Sequence, residues 1–251
     1  MPILVFHNIS GNFPFGLNYY SPTRLKALLN FILSAGYTFI SLADYVNSPE
    51  SNARQISITF DDGYESFYRK AFPIMEDMSI PATVFIPGYY IGKLNHWDYS
   101  SLIHKTDHLT TDQIRKLSKA GIEIGSHGFT HLDLTGLSNR LLRLELERSK
   151  KGLEDLTGRR VHYISYPYGR FNRKVETMAL EIGYLKGFSL SYLKKSYSGF
   201  SIPRFGIYIM DTPYSVSKKL GGDFANQIEK FKGAIINFYS LGNILLSRIR
   251  P

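Results

Sequence analysis

The chain has 251 residues, 43% of them hydrophobic and 14% aromatic, enough apolar material to bury one full core of α/β-barrel size. It contains no cysteine, which excludes disulfides, Cys-ligated zinc sites and thiol nucleophiles and leaves any metal to His and carboxylate ligands. A balance of 30 Lys and Arg against 21 Asp and Glu gives a formal charge of +9, which favours anionic partners such as phosphorylated lipids, acidic glycans or nucleic acid and equally suits an ordinary basic surface.

Short β-type runs alternate with helical patterns along the chain. Residues 3–6 (ILVF) predict a strand, and Ser21-Pro22 opens a helix with Leu25, Leu28, Leu29 and Ile32 on one face, ended by Gly36. Residues 37–42 (YTFISL) and 55–60 (QISITF) predict strands, and 66–78 carries Ala71, Ile74, Met75 and Met78 at helical spacing. After a strand at 82–86 come a short helix from Thr110–Thr111 to Gly121, a strand at 122–125 and the longest helix, about 138–157, capped by Ser138. Strands at 161–166 and 184–190 flank a helix at 172–182. Repeated β-then-α units argue for one domain built on a parallel sheet, open or closed into a barrel. No window approaches a membrane span, and the opening MPILVFHNIS lacks signal-peptide features, so a cytoplasmic protein is expected.

Three constellations fall at predicted strand ends, where parallel α/β proteins build their sites. Asp61-Asp62-Gly63 places two acids side by side, suited to a metal ligand next to a proton acceptor, though the triplet alone suits a turn with a helix cap as well. His127 and His131, four apart, share one face if the segment is helical and then reach a single metal; with one carboxylate they form a three-ligand set that leaves positions for water and substrate. Tyr166-Pro167-Tyr168-Gly169 reads as a sharp loop able to aim a backbone N–H into a site.

In that order, Thr59-Phe60-Asp61-Asp62-Gly63, His127-x-x-x-His131 and Tyr166-Pro167-Tyr168-Gly169 resemble the successive motifs of the polysaccharide deacetylase family, the NodB-homology domain, over roughly residues 1–210. The resemblance implies a distorted, TIM-like (β/α) barrel that removes N-acetyl groups from amino-sugar units of a poly- or oligosaccharide. It implies Asp61 as general base, Asp62, His127 and His131 as ligands of a divalent ion, Zn²⁺ first with Ni²⁺ or Co²⁺ possible, and the Tyr168 N–H as an oxyanion donor.

The chain departs from the family pattern in two places. The common Arg two residues before the motif proline is Ser165 here; Arg204 is the candidate replacement for bracing the catalytic Asp, with a surface or salt-bridged Arg as the other reading. No histidine follows His162, so the late Leu-x-His acid is missing. His7, after the first strand, matches the family branch that supplies this acid from the N-terminal side by circular permutation, as in poly-N-acetylglucosamine deacetylases. Trp97, the only tryptophan, is either a sugar-stacking platform or a loop anchor; His96, His104 and His108 nearby lack ligand spacing.

Residues 1–215 make the expected catalytic barrel and 216–251 a basic, partly amphipathic helical extension. That tail is expected either to touch an anionic membrane peripherally, at the inner face and on a lipid-linked glycan, or to pack on the barrel or a second subunit. Competing functions on the same fold are a deformylase, a cyclic amide or ureide hydrolase, and a catalytically silent glycan-binding module. A basic composition without a nucleic-acid motif argues against DNA or RNA as partner.

Overall fold

A computed structural model of the chain describes residues 2–11, 16–47, 54–97, 105–190 and 197–220. The first elements are β1 (Ile3–Phe6), β2 (Asn8–Ile9), β3 (Tyr19–Tyr20), α1 (Pro22–Ser34), β4 (Thr38–Phe39), α2 (Leu42–Asn47) and β5 (Gln55–Phe60). A π-helical turn over Phe67–Ala71 leads into α3 (Phe72–Asp77), then β6 (Ala82–Ile86), α4 (Thr111–Lys119), β7 (Glu123–Ser126) and α5 (Asn139–Thr157). The last are β8 (Tyr163–Ser165), α6 (Arg173–Ile182), β9 (Lys186–Ser189), β10 (Ser201–Pro203), β11 (Phe205–Gly206) and α7 (Pro213–Leu220). Of the extension expected over 216–251, residues 221–251 lie outside the described residues. Among the described residues no helix is long and apolar enough to cross a membrane.

Helix starts follow the local chemistry. Ser21, Thr110, Ser138 and Asn172 each accept a hydrogen bond from the backbone N–H three residues on, and Thr110 with Gln113 completes a reciprocal capping box. Each cap contributes about 1 kcal/mol. Gly158 and Gly183 end α5 and α6 in the left-handed conformation.

Two expected elements come out differently. The strand expected over 37–42 shrinks to Thr38–Phe39, because β4 pairs only with the first residues of β5 (Thr38 with Gln55, Phe39 with Ile56). From Ile58 onward that edge of β5 belongs to β6, and the chain turns into α2 at Leu42. The helix expected over 66–78 is split, since Pro73 has no N–H for a regular ladder and a π-helical turn precedes α3.

The main sheet runs β10-β9-β8-β7-β6-β5-β1-β11 with every pairing parallel. Its two ends, β10 and β11, are separated in the chain by Arg204 alone. One extended run therefore pairs first with β9 (Ile202 opposite Phe188) and then with β1 (Phe205 opposite Leu4), curling the sheet nearly shut as a distorted (β/α) barrel. The larger apolar cluster lies between strands and helices, where α1 buries Leu25, Leu28, Leu29 and Ile32 and α5 buries Leu142, Leu146 and Leu153. Each such side chain contributes roughly 1.5–3 kcal/mol on burial. A second cluster gathers Ile3, Phe85, Tyr163 and Phe188, one residue each from β1, β6, β8 and β9, with Leu42 of α2 on the sheet's other face.

Candidate active site

All three motifs lie just past the carboxyl ends of parallel strands, β5, β7 and β8, with β6 between the first two. At the end of β5, Asp61 N–H donates to the Phe6 carbonyl (2.9 Å), continuing the ladder, and the backbone then turns left-handed at Asp62 (φ 69°) and Gly63 (φ 59°). A Cβ at Gly63 would press on Ile86 at 3.1–3.3 Å, so this corner requires glycine. The turn sends the two adjacent carboxylates into different surroundings.

Asp62 Oδ1 lies 3.3 Å from His127 Nε2 and 3.2 Å from His131 Nε2, and the three groups are buried. Burial opposes ionisation of Asp62, yet the two imidazoles outweigh it and hold its carboxyl well below the usual range. Burial alone would lower His127, but Asp61 and Asp62 more than offset it and its pKa is raised; in His131 burial prevails and the pKa is lowered.

The two histidines are not on a helix, which corrects the geometry expected from their spacing. Gly128 (φ 71°) and His131 (φ 60°) are left-handed, and the segment is an irregular loop. What shapes it is Glu145, reaching in from α5: its Oε2 accepts from the N–H groups of Phe129 (2.9 Å) and Thr130 (2.8 Å), and its Oε1 accepts from the Thr130 hydroxyl (2.6 Å). The sequence reading missed Glu145. Its signal was a carboxylate on the apolar stripe of α5, beside Leu142 and Leu146.

Asp61 is gripped differently. Arg204 donates from Nη1 to Asp61 Oδ1 (2.8 Å) and from Nη2 to Oδ2 (2.6 Å), and Ser165 Oγ donates to Oδ2 (2.8 Å). Arg204 is 0% exposed, its guanidinium over the Phe85 ring at 5.1 Å, and it also reaches Thr59 Oγ1 (3.0 Å). Burial opposes ionisation of Asp61, but Arg204, His127 and His7 outweigh it and hold the carboxyl below its ordinary value. Arg204 thus braces Asp61 from the point where its strand switches from β9 to β1. Ser165 links both halves of the site: its carbonyl oxygen faces His127 Nδ1 at 2.8 Å.

That contact tests the fit to a metal. A carbonyl only accepts, so Nδ1 carries the hydrogen and Nε2 turns its lone pair toward the Asp62 oxygen. Two such donors 3.3 Å apart repel unless a cation or proton lies between them. One carboxylate oxygen and two imidazole nitrogens, mutually within 4.8 Å, suit Zn²⁺ or a similar divalent ion. The residues fit.

His7 follows β1, which pairs with β5 with Phe6 opposite Phe60, so His7 stands next to Asp61 across the ladder. It is buried, stacks near Tyr208 (6.2 Å) and has no hydrogen-bond partner at Nδ1; burial lowers its pKa, partly offset by Asp62 and Asp61. Tyr168 adopts φ 58° in the turn Pro167–Gly169 and sets its ring edgewise on His131 at 4.8 Å. Trp97 does not serve as an open platform: it is 4% exposed and stacks on His131, which corrects that expectation in favour of an anchor. His108, expected to have no role, is buried in the same aromatic group, with its pKa lowered by burial to about 4. His104 lies outside the described residues.

The sequence profile of the polysaccharide deacetylase family matches residues 48–186, more than half of the chain. The chain belongs to the polysaccharide deacetylase family. The match spans the three motifs, whereas His7 and Arg204 lie on either side of it. Among relatives, the protein YxkH of Bacillus subtilis (strain 168) is 30% identical over 192 residues, 74% of this chain and 63% of its own length. The poly-beta-1,6-N-acetyl-D-glucosamine N-deacetylase of Staphylococcus aureus (strain MSSA476) is 27% identical over 185 residues, 68% of this chain and 60% of its own. This chain thus spans about three fifths of these relatives. Among solved structures, the Streptococcus pyogenes deacetylase PplD, in complex with acetate, superposes with a TM-score of 0.74 at 23% identity over 88% of this chain and 97% of that one. IcaB from Ammonifex degensii gives 0.73 at 19% identity over 87% and 96%. These likenesses establish the fold.

Proposed function

We propose that the chain is a metal-dependent N-deacetylase acting on N-acetylated amino-sugar units of a glycan. The observation that carries this reading is the pairing of two buried carboxylates with opposite engagements: Asp62 with His127 and His131, Asp61 with Arg204 and Ser165. The similarity to poly-N-acetylglucosamine deacetylases supports the substrate class.

Asp62, His127 and His131 would hold the ion, Zn²⁺ first and Ni²⁺ or Co²⁺ as substitutes, which when bound supplies Lewis acidity at the acetyl carbonyl and acidifies water. Asp61, kept ionised and fixed by Arg204, takes the proton of the water that adds to the acetyl carbon. The Tyr168 N–H stabilises the developing oxyanion. His7, on the strand beside Asp61, gives a proton to the sugar nitrogen as the C–N bond breaks. Water thus supplies oxygen to acetate, and the sugar leaves as a free amine. A site with ligands, base and acid together argues against a silent binding module.

The test is acetate release from N-acetylglucosamine oligomers by the Zn²⁺-reconstituted chain. Asp61→Asn should lower turnover by about 10²–10⁴-fold while still binding metal. Metal-replete protein that spares these oligomers but hydrolyses a formylated sugar or a cyclic amide would move the reading to those substrates.

A further inference from the structure

The two histidines of the cluster are oriented by different physics. His127 is fixed through its second nitrogen, which donates to the Ser165 carbonyl at 2.8 Å. His131 has no such tether: its Nδ1 is buried without a hydrogen-bond partner. A metal-ligating imidazole ordinarily uses that nitrogen to fix its rotation and tautomer, so something else must hold this ring. Ring contacts hold it. Trp97 lies face to face with His131, centroids 4.3 Å apart and planes inclined 23°, while Tyr168 and His127 meet it edgewise at 4.8 and 4.9 Å.

Trp97 is itself immobilised. Tyr90 abuts it edge-on at 4.3 Å, His108 lies 4.9 Å away, and Tyr64 lies at 6.2 Å. His108 Nδ1 bonds the Lys93 carbonyl (2.9 Å), tying the aromatic group to the loop that carries Trp97. The loop after β6 thus carries a rigid indole to the outer face of a ligand delivered by β7.

The geometry points to Trp97 as a positioning residue for His131, substituting aromatic stacking for the missing hydrogen bond and thereby setting the affinity of the cluster for its divalent ion. This rests on the metal reading proposed above. Stacking also couples to charge: an imidazole that binds a cation becomes electron-poor, and the electron-rich indole face attracts it more strongly than the free ring. Trp97 therefore favours the metal-loaded state over the free one.

Trp97 is the only tryptophan in the chain, so tryptophan emission reports the surroundings of this one side chain. Titrating the full chain with Zn²⁺ should change tryptophan emission saturably, complete at one equivalent, and the change should vanish in His131→Ala. Competition against a chromophoric chelator should show Trp97→Leu binding Zn²⁺ about 10-fold or more weakly, the range found when ligand-orienting partners are removed. Trp97→Phe, which keeps a ring face, should stay within about 3-fold of wild type. Far-UV circular dichroism checks folding; if Trp97→Leu does not fold, the wild-type emission change and the Trp97→Phe affinity still decide. Stoichiometric Zn²⁺ binding with unchanged emission, or with Trp97→Leu as tight as wild type, overturns the inference and leaves the metal site standing. Absence of Zn²⁺ binding by wild type overturns both.

Discussion

Strand β7 carries the carboxylate of Glu123 at one end and leads at the other into His127, which joins the buried Asp62–His127–His131 cluster, and the two ends differ in what surrounds an acid. Glu123, Gly125 and His127 fall on one face of the strand, and Gly125 leaves room for the Phe85 ring, which a Cβ would meet at 2.4 Å. At the His127 end, Asp61 is fully engaged by Arg204 and Ser165 and is held below its ordinary pKa. At the other end, Glu123 has a single hydroxyl, Thr83 Oγ1 at 3.1 Å, and faces Asp44; burial, reinforced by Asp44, pushes it up to about 7. Desolvation acts on both acids. A forked cation reverses its effect in one and a lone hydroxyl does not in the other, so one carboxyl is held toward its ionised form and the other toward its protonated form.

The strongest way to break this contrast is to remove the fork. Arg204→Met leaves Asp61 buried without its cation, and urea unfolding should show a loss of about 3–5 kcal/mol. In an Asp61→Asn background the same change should cost much less, because no charge is stranded. Arg204→Lys should not restore activity, since an ammonium cannot bond both carboxylate oxygens in the plane. Additive losses in the two backgrounds would mean that Arg204 acts on packing alone.

The next effect in size concerns the loop at the His127 end. Glu145→Gln keeps one acceptor for three donors, and metal affinity measured by chelator competition should fall about 10-fold, with turnover following at subsaturating metal. Unchanged affinity would show that the left-handed residues Gly128 and His131 hold the loop without Glu145.

Much of the site was legible in the sequence, and for a physical reason. Motifs at strand ends depend on local order, so Asp61, Asp62, His127, His131 and Tyr168 could be placed by reading each β run to its end. Arg204 and His7 needed the resemblance, because their contacts with Asp61 depend on which strands close the barrel: β1 inserts between β5 and β11, and no local pattern states that. Glu145 was hidden by its own helix, where an acid on an apolar face reads as an imperfection until the loop opposite is known. The same blindness to pairing produced the overlong strand at 37–42. The Trp97 contact was out of reach because a loop packs by shape, which spacing does not encode.

The smallest expected effect tests the other end of β7. The folded chain holds Glu123 at about 7, above its ordinary 4.5, so between those values it binds more protons than the unfolded chain. Stability therefore falls as pH rises from about 4.5 to 7, and the cost is fully present above that window. Glu123→Gln keeps an oxygen acceptor for Thr83 and carries no charge, so it should raise stability at pH 8 by at most roughly 3 kcal/mol and change it little at pH 4. Paired thermal melts at the two pH values would read the difference. Glu123 lines a cleft of about 270 Å³ that also includes Arg160 and His162. If Arg160 swings in to pair with the carboxylate, Glu123→Gln will instead lose stability at pH 8, and the two ends of the strand will prove to be built on the same principle.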